Sequence, residues 1–124
     1  MNMVKFSEAS LERCESPRGF GRGLETWSLS DWMTATLGEL GEAANVIKKL
    51  NRHRDGTRGN AIAETEEALT EQLADELADA FIYLDLLARR AGIVLQDAVI
   101  RKFNKTSEKI GYPLVLLKDG STRV

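Results

Sequence analysis

The residues from Leu69 to Ala91 form a long run that is apolar at helical period, and this run limits the folds open to the chain. Its main stripe comprises Leu69, Leu73, Leu77, Ala80, Leu84, Leu87 and Ala91. Phe81, Ile82 and Leu86 lie on other sides, so the helix is apolar most of the way round. A helix of this kind is buried on several sides, and a chain of 124 residues offers few partners for it. We therefore expect an all-α helical bundle of about three main helices per chain, completed by homo-oligomerisation as a homodimer or homotetramer.

The first long helix is predicted from about Ser30 to Arg52, with Ser28 or Ser30 as its cap. Its expected core stripe is Met33, Leu37, Leu40, Ala44 and Ile47. The second long helix is predicted over about 65–91, and it stops at Gly92.

A third helix should begin at Leu95 or Gln96 and run to Lys109, before Gly111. A short helix over 6–14, capped by Ser7, is expected near the N-terminus, and residues 114–117 are expected to form a strand-like tail.

Two pairs of acids lie beside the expected core stripes, Glu39 with Glu42 and Glu76 with Asp79. Members of a pair are three residues apart, so each pair lies on one face of its helix. From Glu64 to Ala88 there are eight acids and no lysine or arginine, so ion pairs within the helix cannot neutralise them. Four acids at a shared core would repel one another unless a cation lies between them, although such pairs are also common on solvated helices.

Composition indicates one soluble domain covering residues 1–124, with 43% hydrophobic and 29% charged residues. The net charge of −2 argues against binding to a nucleic acid polymer, which needs a basic excess. The single cysteine, Cys14, fits a reducing compartment. No segment resembles a signal sequence or a membrane span, so we expect a cytoplasmic protein with no membrane partner.

Two stretches rich in basic residues have open interpretations. The Pro- and Gly-containing loop 16–23 carries Arg18 and Arg22 near Trp27; it could fold over a ligand, or it could be a flexible surface connection. The end of the first long helix carries five cations, which either complement the helix dipole or balance a polyphosphate: Lys48, Lys49, Arg52, Arg54 and Arg58. His53 is expected to be a solvated member of this run.

The residues Glu39-Leu40-Gly41-Glu42 followed by Glu76-Leu77-Ala78-Asp79 resemble the ExxE…ExxD signature of the MazG-like all-α nucleoside triphosphate pyrophosphohydrolases, which include dimeric dUTPases and dCTP pyrophosphatases. The similarity to this family extends to the residues that flank both acidic motifs. It also includes two downstream segments, Lys102-Phe103-Asn104-Lys105 and Gly111-Tyr112-Pro113. The resemblance covers a core of about 27–113, leaving an N-terminal arm, 1–29, and a C-terminal tail, 114–124.

The resemblance implies that Glu39, Glu42, Glu76 and Asp79 bind Mg²⁺, for which Mn²⁺ could substitute. It places Lys102 and Asn104 against the phosphates or sugar of a nucleotide and Tyr83 at the pocket, and it makes Trp27 and Trp32 candidates to stack on the base. Two features depart from the pattern: Gly38 replaces an acid found in some members, and 33 residues separate Glu42 from Glu76. The insert at 51–70 has no predicted role.

The predicted reaction is the hydrolysis of a (d)NTP to a (d)NMP and pyrophosphate, for control or house-cleaning of the nucleotide pool. Glu39 or Glu42 is the expected catalytic residue that orients or deprotonates the water, while Lys49, Arg52 or Lys102 offsets charge on the phosphates. Carboxylates, water and phosphate oxygens suit Mg²⁺.

A di-iron bundle is excluded because the Glu-x-x-His pairs are missing, and an EF-hand because its loop is missing. A non-catalytic helical interaction module and a nucleotide sensor remain as alternatives. The preferred base and sugar stay open.

Overall fold

The computed structural model describes residues 1–56 and 64–124, and these form four α-helices followed by a small hairpin. The helices are α1 (Met3–Glu15), α2 (Leu29–Asp55), α3 (Glu66–Arg90) and α4 (Leu95–Ile110), with a single 3₁₀ turn at Leu24–Thr26 between α1 and α2. Strands β1 (Val115–Leu116) and β2 (Thr122–Arg123) pair antiparallel. The expected all-α fold, with α2, α3 and α4 as its main helices, is confirmed.

Short-range signals define most helix ends. Ser28 caps α2: its hydroxyl accepts from the Asp31 amide at 3.1 Å, and the Asp31 carboxylate accepts from the Ser28 amide at 2.9 Å. These bonds stabilise the ionised carboxyl and lower the pKa of Asp31. Thr65 caps α3 with its hydroxyl alone, which accepts from the Ala68 amide at 3.1 Å, and Gly111 ends α4 with a φ of 72°. The ends of the long helices therefore follow from side chains that the sequence already displays.

The start of α1 differs from its prediction. Asn2, not Ser7, is the cap, and its side-chain oxygen accepts from the amides of Val4 and Lys5. Ser7 lies inside the helix, where it is buried and accepts a hydrogen bond from Arg89 Nε at 2.6 Å. The helix is therefore longer than expected because an earlier capping residue was available.

The most extensive packing in the chain is between α2 and α3, which run antiparallel. Buried alanines and branched residues line this contact, among them Ala43, Val46, Leu69 and Ala80. At one end Trp32 is only 1% exposed, and it forms a core with Cys14 of α1 and Leu86 of α3. Helix α1 thus covers one end of the α2–α3 pair.

The predicted core stripe of α2 is wrong for a single chain. Leu37 is 57% exposed, and Met33, Leu40 and Ile47 are also exposed. The buried face is the neighbouring one, which carries Trp32, Thr36, Ala43 and Val46. Leu77 and Leu84 of α3 are likewise exposed, although both belong to its predicted stripe. Small residues such as Ala43 and Ala80 and the half-buried Glu39 and Glu76 therefore lie on the inner faces of the two helices, while several large apolar side chains are left outside.

Helix α4 packs chiefly on strand β1 and on the end of α3. The Asn104 side chain donates to the Leu116 carbonyl at 2.9 Å and accepts from the Leu116 amide at 2.8 Å. This pairing fixes the tail, where β1 lies within the predicted strand-like stretch. Across the described ranges, no helix has the length and apolar character needed to cross a membrane.

The Trp32 indole joins α2 to the chain segment before it. Its ring nitrogen donates to the Leu24 carbonyl at 2.9 Å, and its ring meets the Trp27 ring edge-on with centroids 4.7 Å apart. A buried indole with its donor satisfied contributes both packing and a hydrogen bond.

We predict that Trp32→Phe lowers the free energy of unfolding by about 1–3 kcal/mol, because the Leu24 carbonyl loses its donor and the smaller ring leaves a void. Chemical denaturation measures this change. Trp27→Phe is the control, since Trp27 is half-buried and its ring nitrogen donates no hydrogen bond within residues 1–56 and 64–124. Equal losses for the two variants would contradict the anchoring role of Trp32.

Candidate functional site

Three carboxylates from two helices meet at the α2–α3 contact. Glu39 and Glu42 of α2 and Glu76 of α3 each place an oxygen within 4.8 Å of the other two. The three-residue spacing on α2 aligns its pair along one face, and the antiparallel packing brings α3 against that face. Glu39 and Glu76 are half-buried, while Glu42 is exposed.

The crowding of these acids perturbs their titration. The pKa of Glu76 is raised to about 7, first because its carboxyl shares a hydrogen bond with Glu42, then because of burial and the nearness of Glu39. Burial is the main cause of the raised pKa of Glu39, and the negative charges of Glu42 and Asp79 add to it. Without a cation, the cluster therefore holds protons that isolated carboxylates would lose.

Two oxygens in the cluster lack partners. Oε2 of Glu39 and Oε2 of Glu76 are buried, and neither forms a hydrogen bond. Among residues 1–56 and 64–124, no lysine or arginine makes an ion pair with any of the four predicted acids. Buried polar oxygens without partners are costly, and an oxygen-only donor set is what a hard divalent cation prefers. The residues present fit a metal such as Mg²⁺.

Asp79 lies beside the cluster and not within it. It follows Glu76 by one helical turn, is exposed, and is near enough to Glu39 to act on its pKa. Glu39 and Asp79 both line an adjoining cavity of about 400 Å³. The structure therefore brings three of the four predicted ligands together and places the fourth at the border between the acids and the cavity.

The cavity has aromatic and apolar walls. Trp27, Trp32 and Tyr83, all singled out from the sequence, line it. Trp32 is fully buried with its nitrogen already bonded, whereas Trp27 is half-buried. The cavity also has several charged and hydroxyl-bearing side chains in its wall, and its volume lies in the range of small-molecule sites. Stacking on a base stays a prediction for both tryptophans.

The remaining predicted substrate residues do not line this cavity. Lys49 Nζ lies 3.4 Å from Glu64 Oε2, and Arg52 is exposed in the last turns of α2. Lys102 is exposed on α4, and Asn104 is bonded to the backbone of Leu116. Contacts of these four residues with a nucleotide stay predictions.

The insert at 51–70 is described only in part. His53 is half-buried, and its Nε2 lies 2.8 Å from the Glu64 carbonyl oxygen, so it is not the solvated residue that we expected. Arg58, one of the five cations noted above, lies outside the described residues.

Several cavity residues were not identified from the sequence as site residues. Two of them, Ile82 and Leu86, come from α3, and the others come from α1 or the loop after it: Ser10, Arg13, Cys14, Phe20 and Arg22. The loop itself had been noted for its two arginines, but only Arg22 reaches the cavity. Ser10 and Cys14 are one turn apart on α1, and both are buried. Their spacing of four residues, which places both on one face of a helix, was the signal available in the sequence.

A family model for the MazG nucleotide pyrophosphohydrolase domain matches residues 28–110. This segment is more than half of the chain and holds all four acids. The chain belongs to the MazG nucleotide pyrophosphohydrolase family. The MazG match confirms the family that the two acidic motifs indicated, and it leaves residues 1–27, with the newly found cavity residues, outside. Neither the curated proteins nor the solved structures contain a significant match to the chain.

We predict that, in EDTA, the free energy of unfolding of this MazG domain falls as the pH rises from 4.5 through about 7. The folded state holds the Glu76 proton up to its raised pKa, whereas the unfolded state has released it, so each rise in pH in this window favours unfolding. Denaturation at a series of pH values measures the slope.

Glu76→Gln should reduce this slope because it removes the titrating carboxyl. Glu71→Gln is the matched control, since Glu71 is an exposed acid on the same helix. A slope that is unchanged in Glu76→Gln would show that Glu76 titrates normally in the folded protein.

Proposed function

We propose that this MazG domain hydrolyses nucleoside triphosphates to nucleoside monophosphates and pyrophosphate, using Mg²⁺ held by Glu39, Glu42, Glu76 and Asp79. The observation that carries the proposal is the convergence of three carboxylates, two with buried unpartnered oxygens, beside a cavity that can hold a nucleoside. Membership of the MazG family supports the reaction class.

The donor set favours Mg²⁺, with Mn²⁺ as a substitute. Every ligand in the cluster is a carboxylate oxygen, and it contains neither histidine nor cysteine. Bound Mg²⁺ would supply Lewis-acid chemistry at the phosphates and lower the pKa of a bound water.

Glu39 or Glu42 would act as the catalytic base. Glu39 borders both the acid cluster and the cavity, so it can accept a hydrogen bond from a water placed between them. That water would attack the α-phosphorus: its oxygen forms the new P–O bond, its proton passes to the carboxylate, and the bond to the bridging oxygen breaks to release pyrophosphate.

Lys49 is the best placed of the proposed phosphate-binding residues. It follows Glu42 by seven residues, which puts it on the same face of α2 and about 10 Å along the axis. It would exchange its exposed ion pair with Glu64 for a phosphate, a small loss because such pairs are weak. Arg52 lies within a turn of Lys49, and Lys102 and Asn104 would act from α4.

We further propose a single domain over residues 1–124, a cytoplasmic location, and a role in control or house-cleaning of the (d)NTP pool, with no nucleic acid polymer and no membrane as partner. A helical interaction module and a nucleotide sensor without turnover are the alternatives. A role as an interaction module would account for the exposed apolar residues of the helices. It would not account for the buried oxygens of Glu39 and Glu76 that have no hydrogen-bond partner.

We predict that the wild type with Mg²⁺ converts at least one NTP or dNTP to monophosphate and pyrophosphate, resolved by anion exchange. Glu39→Gln and Glu76→Gln should each lower kcat/KM by about 100-fold or more, since they remove a metal ligand or base. Glu71→Gln should retain the wild-type value.

Melting curves separate the alternatives. Mg²⁺ should raise the melting temperature of the wild type but not of Glu76→Gln. A nucleotide sensor would show the Mg²⁺ effect without turnover, and an interaction module would show neither.

We also propose that the chain forms a homodimer or homotetramer. The face of α2 that carries Met33, Leu37, Leu40 and Ile47 is exposed along its length. On α3, Leu77 and Leu84 are exposed, and α4 exposes Val99 and Phe103. Large apolar stripes at helical spacing on three helices are typical of a helix-to-helix interface, and a second copy of the chain offers complementary stripes.

We predict that Leu37→Glu shifts the assembly towards monomer, because a charge in the centre of the α2 stripe cannot be paired on association. Sedimentation velocity measures the change. Ile110→Glu is the control, since Ile110 is also exposed but lies at the far end of α4. A wild type that sediments as a monomer at micromolar concentration would contradict the proposed assembly.

A further inference from the structure

The loop after α1 is held in one position by hydrogen bonds to α1. The Phe20 amide donates to the Arg13 carbonyl at 3.0 Å, and the Arg22 amide donates to the Cys14 carbonyl at 2.9 Å. The Cys14 thiol donates to the Arg22 carbonyl at 3.3 Å, consistent with burial raising the pKa of this thiol. These hydrogen bonds hold the loop against α1, and the loop forms part of the cavity wall through Phe20 and Arg22.

Gly19 makes this close docking possible. A Cβ at this position would lie 2.0 Å from the Arg13 carbonyl oxygen, far inside any allowed contact. Any side chain at position 19 must push the loop away from α1. The docked loop thus depends on one residue that does not itself line the cavity.

Two guanidinium groups lie over aromatic rings at the cavity, that of Arg22 from the loop and that of Arg13 from α1. Arg22 lies over the Trp27 ring at 4.2 Å, and Arg13 lies over the Phe20 ring at 5.5 Å. Cation–π contacts restrain each guanidinium while leaving its N–H groups free to donate in the ring plane. All four residues line the cavity.

Ser10 adds a buried hydroxyl to the same wall. It is 5% exposed and lines the cavity, and its Oγ has no hydrogen-bond partner. A buried hydroxyl without a partner is unfavourable, so this atom points to a ligand that supplies one.

The cavity is polarised between two ends. At the end shared with the acid cluster, the carboxylates of Glu39 and Asp79 accept hydrogen bonds. Arg13 and Arg22 belong to the N-terminal arm, residues 1–29, and their guanidinium groups can only donate hydrogen bonds. Apolar side chains of α3, including Ile82 and Leu86, lie in the wall as well. A flat ring with apolar faces and hydrogen-bond acceptors on its edge matches the end of the cavity where Arg13 and Arg22 lie.

We infer that the N-terminal arm binds the base of the nucleotide and selects bases that carry a carbonyl oxygen, in place of an amino group, at purine C6 or pyrimidine C4. Guanine, hypoxanthine, uracil and thymine belong to this class, and adenine and cytosine do not. Arg13 and Arg22 donate to the carbonyl edge, as arginine does to guanine in other contexts, and Ser10 completes the contact. The inference rests on the proposed function for the position of the phosphates at the acid end.

The test is calorimetric titration of the full chain with nucleoside monophosphates in EDTA, so that binding is measured apart from hydrolysis. GMP, IMP and UMP should bind at least about 10-fold more tightly than AMP and CMP. Adenine or cytosine nucleotides binding as tightly as the others would overturn the inference.

Three variants test the arm directly. Arg22→Ala and Ser10→Ala should each weaken GMP or UMP binding by roughly 3- to 10-fold and reduce the difference from AMP or CMP. Gly19→Ala should do the same by displacing the loop. Arg18→Ala is the matched control, since Arg18 is exposed in the same loop and does not line the cavity; circular dichroism melting verifies that each variant is folded.

Inorganic tripolyphosphate distinguishes base binding from phosphate binding. The arm variants should leave its affinity in Mg²⁺ unchanged, and a loss as large as that for nucleotides would place Arg22 at the phosphates and overturn the inference. Base preference without turnover of any triphosphate would refute only the proposed reaction. Turnover with no base preference would refute only the assignment of the arm.

Discussion

The repulsion among Glu39, Glu42 and Glu76 is the constraint on which the rest of the structure depends. The α2–α3 contact is the largest in the chain, and a core normally fills such a contact with apolar side chains. Here small residues such as Ala43 and Ala80 let the helices approach, and the acids share the remaining space. The cost of their charge is met by proton sharing, which raises the pKa of Glu76, or by a bound cation. The most extensive packing of the fold and its proposed chemistry therefore occupy the same place.

The position of the acids also explains why the large apolar residues of α2 face outward. One stripe of a helix can meet α3, and on α2 this stripe carries Thr36, Glu39, Ala43 and Val46. Leu37 and Leu40 then lie on the far side, where residues 1–56 and 64–124 leave both exposed. The acids thus occupy the side of α2 that faces α3, and the large apolar residues occupy the opposite side. The homo-oligomer that we propose would bury that opposite side.

Features encoded within a few residues were predictable from the sequence. A cap at Ser28 or Ser30, the end of α4 before Gly111 and the spacing of the acids are local features. The structure selects Ser28 as the cap and agrees with the other two. The choice between two neighbouring stripes of α2 is not local, because both have helical period and only contact with α3 decides which is buried. The part of the cavity wall formed by α1 and the loop was missed for a related reason: it joins residues 10–22 to residues 79–86, and no periodicity reports contact across that separation. Asn104 shows that a motif can also serve the fold, since its amide pairs with Leu116.

The two proposed functions, metal binding and base binding, belong to segments whose positions depend on different interactions. The acids lie in the segment that matches the family, on the two long helices that pack most extensively among the described residues. The arm reaches the cavity through side chains, while its own position is set by backbone hydrogen bonds and by the absence of a side chain at Gly19. We therefore expect replacement of Arg13, Arg22 or Ser10 to change the hydrogen-bond donors of the cavity more than the packing of α2 on α3, because none of these residues lies on α2 or α3. Base selection can vary in such an arrangement while the geometry of the acids stays fixed, because the two depend on separate contacts.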